Sequence, residues 1–558
     1  MLYALRNRMP RSAVRRRGPQ LALGETALVL AVSLYIALFQ NDALWRLAST
    51  NIEYPFRPAG LMLFATLAAI LVAGTFTVAA VLCVGRTLRL GLIAIVLIAA
   101  VCNYFMSHYG VLIDVQMLVN ATKTNAREAS ELLTTHLLLQ TLIFAGSPAI
   151  VVLLAPIAQR PLCQQMLQRG VVTMLLWSLA AALLSVNYKE ASLWARTHSE
   201  VRKFPNPVFP MISAYKLLRG SLIPTASAAE IRELANHVEP RVPAGRRRVV
   251  VMVVGETARA DHFSLYGYPR TTNPELMATP GLLRFADVSS CGTATAVSVP
   301  CMFSRQDRLE FEHNQAQVTE NLLDVLLRAG VQVQWRDNNT GCQGVCARVE
   351  SANTSATDTP ELCREGECLD EALLNGLPQL IGDGEGDQLI VLHQLGSHGP
   401  SYYRRYPPAF ARFSPECAID DAYRCTQEAL VNSYDNTLLY TDHLLAALIR
   451  ILASASADAD TTMLYVSDHG ESLGENGVYL HGFPYALAPA SQTHVPMLMW
   501  FSPGFSASTE LSADCLVQQA QRKLSHDNVF DIVLGLFGVQ TDIYRPQADV
   551  IGACSSVS

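Results

Sequence analysis

The stretch Thr462-Met463-Leu464-Tyr465-Val466, followed at once by Ser467-Asp468-His469-Gly470-Glu471, decides the fold. A short apolar run rich in β-branched and aromatic residues reads as a strand buried on both faces. The abrupt change to polar residues marks its carboxyl end. Val249–Val254 is a second run of this kind and ends in Gly255-Glu256-Thr257; Gln388–His393 is a third. Asn321–Ala329 and Asn432–Ala453 read as helices between the strands. Strands alternating with helices predict a doubly wound α/β domain over residues 246–558. Ligands of such sheets collect at the carboxyl ends of the strands, which is where Glu256, Asp468 and His469 fall.

Upstream the pattern changes. The chain has 558 residues, too many for one core. Its mean hydropathy of +0.21 reflects apolar sequence concentrated before residue 188. Leu21–Phe39, Gly60–Val84, Leu90–Met106, Leu137–Ile157 and Val171–Val186 each approach the length of about 20 residues that spans a bilayer. The third and fifth are the shortest. Arg6, Arg8, Arg11, Arg15, Arg16 and Arg17 precede the first stretch and place the N-terminus in the cytoplasm. Arg86, Arg89, Arg160 and Arg169 fall in the other loops of that side. An odd number of spans then delivers the α/β domain to the opposite side. No cleavage motif follows the first span, so it reads as an anchor. The expected division is a membrane domain over 1–187, a connector over 188–245 in which Ala228–Val238 looks amphipathic, and the α/β domain. A net charge of −6 with 16% charged residues argues against nucleic acid as a partner.

Of 13 cysteines, only Cys83, Cys102 and Cys163 lie in the apolar half. Beyond residue 290, Cys291/Cys301, Cys342/Cys346, Cys363/Cys368 and Cys417/Cys425 form close pairs. In an exported domain such a set reads as disulfides rather than a thiolate metal site. Cys515 and Cys554 pair by elimination.

Two carboxylates and an imidazole at one sheet edge suit a zinc ion with a position left open. A nucleophile is expected opposite. The segment Ser290–Met302 is rich in hydroxyls and resembles a helix start, where free N–H groups favour a phosphate. Thr293, Thr295 and Ser298 are all candidates, and spacing does not choose among them. His398 and His481 are candidates for a second metal or for an acceptor phosphate.

At these residues the chain resembles the phosphoethanolamine transferases that modify lipid A, which include the mobile colistin-resistance enzymes. The matching stretches are Gly255–Asp261, Ser290–Ser304, His393–Pro400, Leu464–Gly482 and, in the apolar half, Asp114–Asn120 onward to Leu133. The resemblance implies five transmembrane helices and a periplasmic domain of the alkaline-phosphatase and sulfatase type, anchored in a bacterial inner membrane. It implies zinc-dependent transfer from phosphatidylethanolamine to lipid A, with polymyxin resistance as the result. Core sugars or periplasmic glucans are alternative acceptors, and a zinc phosphohydrolase or sulfatase is the alternative enzyme. Thr295 is the implied nucleophile, and Glu256, Asp468 and His469 join it at the catalytic zinc. His398, His481 and Glu471 match positions near a second zinc or the substrate phosphate. Asn120, Thr124 and Glu128 match positions facing the donor head group. A monomer is expected. One position departs from the family: Gln343 stands where a lysine is usual, which removes a cation from the surroundings of the transferred phosphate.

Overall fold

A computed structural model of the chain describes residues 23–51, 58–123, 126–158, 160–222, 231–239, 245–354, 361–364, 367–419 and 422–555. The arginines that precede the first apolar stretch lie outside the described residues. The chain forms two compact units. One comprises Met1–Asn103, Leu139–Val201 and Pro205–Val208; the other comprises Tyr104–Leu138, Arg202–Phe204 and Phe209–Ser558.

Long apolar helices build the first unit. Gly60–Leu82, Gly85–His108, Thr135–Leu154 and Leu162–Val186 are each long and apolar enough to cross a membrane. Glu25–Phe39 is shorter and bends by 49° into Asp42–Thr50. Large apolar side chains such as Leu154, Leu167 and Met174 are exposed along these helices, as a hydrocarbon solvent requires. The two spans that look shortest in the sequence are extended: Leu90–Met106 lies within Gly85–His108, and Val171–Val186 within Leu162–Val186. The second extension corrects the reading of Arg169. It lies in a helix rather than a loop, and it is buried. Its Nη1 donates to the carbonyls of Ala80 at 2.9 Å and Cys83 at 2.7 Å. Those carbonyls end the helix Pro58–Leu82, where no intrahelical donor remains and a cation is favoured.

The second unit is built on a seven-stranded sheet. Its strands are β1 (Arg248–Gly255), β2 (Leu283–Phe285), β3 (Gln332–Asp337), β4 (Glu350–Asn353), β5 (Gln388–His393), β6 (Asp460–Ser467) and β7 (Met497–Phe501). The order is β2-β7-β6-β1-β5-β3-β4. Strands β6, β1, β5, β3 and β4 run parallel, and β7 is antiparallel to β6. Both faces of β1 are covered, so its residues are apolar without interruption. Val250, Met252 and Val254 pack with the helices Leu322–Arg328 and Val529–Phe537. Val249, Val251 and Val253 pack with Gln427–Ala455 on the other face. That helix is long and apolar enough to pass for a membrane span, yet it is a core helix, and its buried Asn432, Asp435 and Asn436 all make hydrogen bonds.

Within the connector, Tyr188–Thr197 and Val208–Leu222 are helical. The described part of the supposedly amphipathic segment Ala228–Val238 is not. Arg232 instead forms a bridge with Thr319, and Val238–Glu239 pairs with Gln540–Thr541. Pairing with the α/β domain wins over local helical periodicity there. Disulfides join Cys291 to Cys301, Cys342 to Cys346, Cys363 to Cys368, Cys417 to Cys425 and Cys515 to Cys554.

Candidate metal centre and nucleophile

Strand register assembles the site. Gly255 lies opposite Ser467 in the parallel β1–β6 pair, so the next residues, Glu256 and Asp468, leave the sheet side by side. Gly255 is needed there, because a Cβ would meet the Tyr465 hydroxyl at 2.6 Å. The backbone then turns sharply. Thr257 has φ +52°, a conformation that a β-branched residue keeps only under constraint. Its N–H donates to Asp468 Oδ1 at 3.2 Å and its carbonyl accepts from the Tyr434 hydroxyl at 2.7 Å. The His469 N–H donates to Asp468 Oδ1 at 2.7 Å.

Glu256, Asp468 and His469 are buried, and one ligand atom from each lies within 4.8 Å of the others. His469 Nδ1 is 2.9 Å from the Gly470 carbonyl. A carbonyl only accepts, so Nδ1 carries the proton and Nε2 turns its lone pair toward Asp468 Oδ2, 3.3 Å away. Burial pushes the His469 imidazole down to about 3, so it does not supply the missing positive charge. Two buried carboxylates and a neutral imidazole with converging lone pairs are unfavourable unless a cation joins them. This donor set fits a divalent metal that takes mixed nitrogen and oxygen ligands. The cluster of Cys291, Cys301 and Asp527 does not, because its two sulfurs are spent in a disulfide.

The structure separates the three candidate hydroxyls. Thr293 donates to the Phe483 carbonyl at 2.6 Å. Ser298 Oγ accepts from the Gly292 N–H at 2.9 Å. Both stabilise the loop. Thr295 opens the helix Thr295–Met302, and its Oγ1 lies 3.0 Å from Glu256 Oε2 and 3.3 Å from His469 Nε2. It alone of the three faces the donor set.

Sequence reasoning passes over Asn339, just beyond the carboxyl end of β3. Its amide donates to Glu256 Oε2 at 2.7 Å and to the Gln394 carbonyl at 2.8 Å. Thr295 and Asn339 thus share one carboxylate oxygen. The signal was the alternation Gln332-Val333-Gln334-Trp335, which marks a strand and so places Asn339 at the same sheet edge.

A row of imidazoles leads away from the centre. The His469 and His481 rings are 4.5 Å apart, and the His481 and His398 rings 5.5 Å. Glu471 Oε2 is 3.4 Å from His481 Nδ1. Among the described residues, these side chains do not close into the compact donor set formed by Glu256, Asp468 and His469.

Asn120, on the helix Val115–Lys123, comes close to the residue after His481: a Cβ on Gly482 would lie 3.4 Å from Asn120 Nδ2. Thr124 and the side chain of Glu128 lie outside the described residues. Gln343 bonds Thr340 Oγ1 at 3.3 Å and lines a cavity of about 280 Å³ with Pro300, Ser304 and Arg348. The cations Arg348, which lines that cavity, and Arg259 are both engaged by carboxylates. Arg348 is held by Asp324 at 2.7 Å, and Arg259 by Asp261 at 2.8 Å and Glu475 at 2.5 Å.

Fold and site together define a class. Residues 248–539 match the sulfatase family, and residues 71–222 match the family described as phosphoethanolamine transferase EptA/EptB. The chain is 41% identical to phosphoethanolamine transferase EptA of Escherichia coli (strain K12), over 83% of this chain and 85% of that one. It is 38% identical to phosphatidylethanolamine transferase Mcr-1 of Escherichia coli, over 81% of this chain and 84% of that one. The structure matches the integral membrane protein lipooligosaccharide phosphoethanolamine transferase A of Neisseria meningitidis with a TM-score of 0.90 and 36% identity, covering 96% of this chain and 99% of that one. The chain belongs to the phosphoethanolamine transferase family of EptA and Mcr type.

Proposed function

We propose that this chain moves phosphoethanolamine from phosphatidylethanolamine to a phosphate of lipid A, with Thr295 as the nucleophile. The observation that carries this reading is the Thr295 hydroxyl, 3.0 Å from Glu256 Oε2 and 3.3 Å from His469 Nε2 at the carboxyl edge of the sheet. Glu256, Asp468, His469 and the Thr295 oxygen would hold a zinc ion, whose positive charge makes a threonine hydroxyl acidic enough to attack and offsets the charge of the phosphate.

Thr295 Oγ1 attacks the donor phosphorus. The bond from phosphorus to the diacylglycerol oxygen breaks, and that oxygen leaves with a proton. Phosphoethanolamine then sits on Thr295 at the amino end of its helix, an environment that favours phosphate. In the second step an oxygen of the acceptor phosphate attacks the same phosphorus, and the bond to Thr295 breaks. Asn339 and Thr295 share Glu256 Oε2, which keeps the carboxylate and the hydroxyl in one orientation. His398, His481 and Glu471 line the approach for the acceptor phosphate or a second metal. Asn120, Thr124 and Glu128 belong to the segment that receives the cationic ethanolamine. The expected setting is the bacterial inner membrane, with the N-terminus cytoplasmic, the α/β domain periplasmic and the enzyme monomeric. Polymyxin resistance follows, because added ethanolamine lowers the negative charge that a cationic peptide binds.

Two mass-spectrometric measurements test the reading. Lipid A from cells carrying the wild type should contain phosphoethanolamine, and lipid A from cells carrying Thr295→Ala should not. The peptide containing Thr295 should carry phosphoethanolamine in protein isolated with its lipids. An unmodified peptide together with fully modified lipid A would overturn the covalent step.

A further inference from the structure

Arg405 is buried, and its guanidinium reaches three separate segments. Nη2 lies 3.2 Å from Glu131 Oε2, Nη1 lies 2.7 Å from Glu367 Oε2, and Nε donates to the His398 carbonyl at 2.9 Å. Each partner comes from a different part of the second unit. Glu131 is on the helix Ala126–Leu132, within the segment Tyr104–Leu138. Glu367 adjoins Cys368, whose disulfide to Cys363 closes a short hairpin. His398 ends the imidazole row that starts at His469. Arg404 adds a second cation, 3.9 Å from Glu131.

This arrangement is more specific than charge balance requires. A buried carboxylate such as Glu131, whose side chain is 2% exposed, needs one fixed cation. The planar fork of arginine also fixes direction, because its donors lie in one plane at set angles. When Nη1 and Nη2 are held by two carboxylates, Nε–H can point only one way, and here it points at the His398 carbonyl. The backbone of the loop Gln394–Pro400 is thereby tied to the segment that carries Asn120. That loop also packs against the metal centre: Gly396 has φ +52°, and a Cβ on it would meet the Glu256 carbonyl at 2.7 Å.

We propose that Arg405 is a positioning residue that couples the segment bearing Asn120, Thr124 and Glu128 to His398, so that the His398 loop is in register for transfer only while Glu131 is docked. It acts through His398 and touches no substrate. The kinetic part of this inference rests on the transferase reading above; the linkage itself does not.

The test uses the full chain in nanodiscs containing its donor lipid, with Glu131→Gln, Arg405→Lys and the double variant. Hydrogen exchange reads the linkage without any turnover. In Glu131→Gln the amides of Leu395–Ser397 should exchange at least about fivefold faster, while those of β1 stay unchanged. Turnover of a fluorescent phosphatidylethanolamine reads the consequence. Each single variant should lose about tenfold or more in kcat, with KM for the donor within about threefold. The double variant should be no worse than the poorer single, because both break one linkage. Unchanged exchange in Glu131→Gln overturns the proposal, and so does a loss confined to KM, which would make Glu131 a donor-binding group. Multiplying losses in the double variant overturn it as well. If Arg405→Lys fails to fold, Glu131→Gln decides alone. A wild type that leaves the donor intact while Glu131→Gln still loosens the loop would count against the donor and leave the linkage standing.

Discussion

Two disulfide-clasped loops lie near the same carboxylate, and they use their clasps differently. In the loop closed by Cys291 and Cys301, the reactive candidate is inside the clasp: Thr295 reaches Glu256 Oε2 at 3.0 Å. In the loop closed by Cys342 and Cys346, the residue that reaches Glu256 Oε2 is Asn339, which lies before the clasp, at 2.7 Å. The residue inside that second clasp, Gln343, bonds Thr340 and lines a separate cavity. A clasp therefore marks a rigid loop without saying which of its residues faces the chemistry. Direction comes from the strand that feeds the loop. Asn339 is two residues beyond β3 and points where that strand points, whereas Gln343 has already turned away at φ +53°.

Breaking the first loop has the largest expected effect. Thr295→Ala should reduce transfer by about a thousandfold or more, because no other hydroxyl of the loop faces the donor set. The protein should keep its melting temperature, since one partly exposed hydroxyl is lost. Substantial residual transfer in the alanine variant would mean that Thr293 or Ser298 turns into the site, and the contrast between hydroxyls held by the backbone and the one facing the donor set would fail. Removing the metal with a chelator should stop turnover to a similar extent, and readdition of zinc should restore it.

Asn339→Ala comes next. It strips from Glu256 Oε2 the amide that bonds it at 2.7 Å. Groups that orient metal ligands commonly contribute about 10- to 100-fold in metal affinity, and a loss in that range is expected in a zinc titration. Asn339→Asp should be worse than Asn339→Ala, because a second carboxylate would face the first. If both variants bind zinc like the wild type, Asn339 belongs with Gln343 rather than with Thr295.

The clasps themselves should count for less. Replacing Cys291 and Cys301 together with serine should destabilise the fold by about 2–3 kcal/mol on loop-entropy grounds, with a smaller change for Cys342 and Cys346, whose loop is shorter. Thermal unfolding of the two double variants measures the difference. Equal effects would show that loop length is not what separates them.

Gln343→Lys is expected to do least. Transfer should stay within about threefold of the wild type or rise slightly. The position lies in its own cavity, and a lysine ammonium there would need to extend past Thr340 to contribute a charge-assisted bond worth about 1.5–3 kcal/mol. A tenfold fall with unchanged melting temperature would mean that the loop is built around a neutral side chain.

The sequence by itself determined the α/β architecture and the sheet edge at which three candidate donor residues gather. The reason is that a strand buried on both faces writes an unbroken apolar run, and the first polar residues after it must lie at its end. Glu256, Asp468 and His469 were legible from two such runs. The apolar helices before residue 188 were legible for the same kind of reason, because a hydrocarbon solvent leaves length and hydropathy as the visible constraints. Only the tertiary structure decided the rest. It placed one of three hydroxyls of similar local signature, that of Thr295, beside Glu256 and His469, while Thr293 and Ser298 are engaged by the backbone at Phe483 and Gly292. It brought Asn339 to Glu256, 83 residues away in sequence, because β1 and β3 both pair with β5. It turned Arg169 from a loop cation into a buried helix-end donor, and it put Glu131, Glu367 and the His398 carbonyl around one guanidinium. Local patterns record what each segment buries. Which segment meets which is set by packing between elements far apart in the chain, and no single stretch of sequence carries that information.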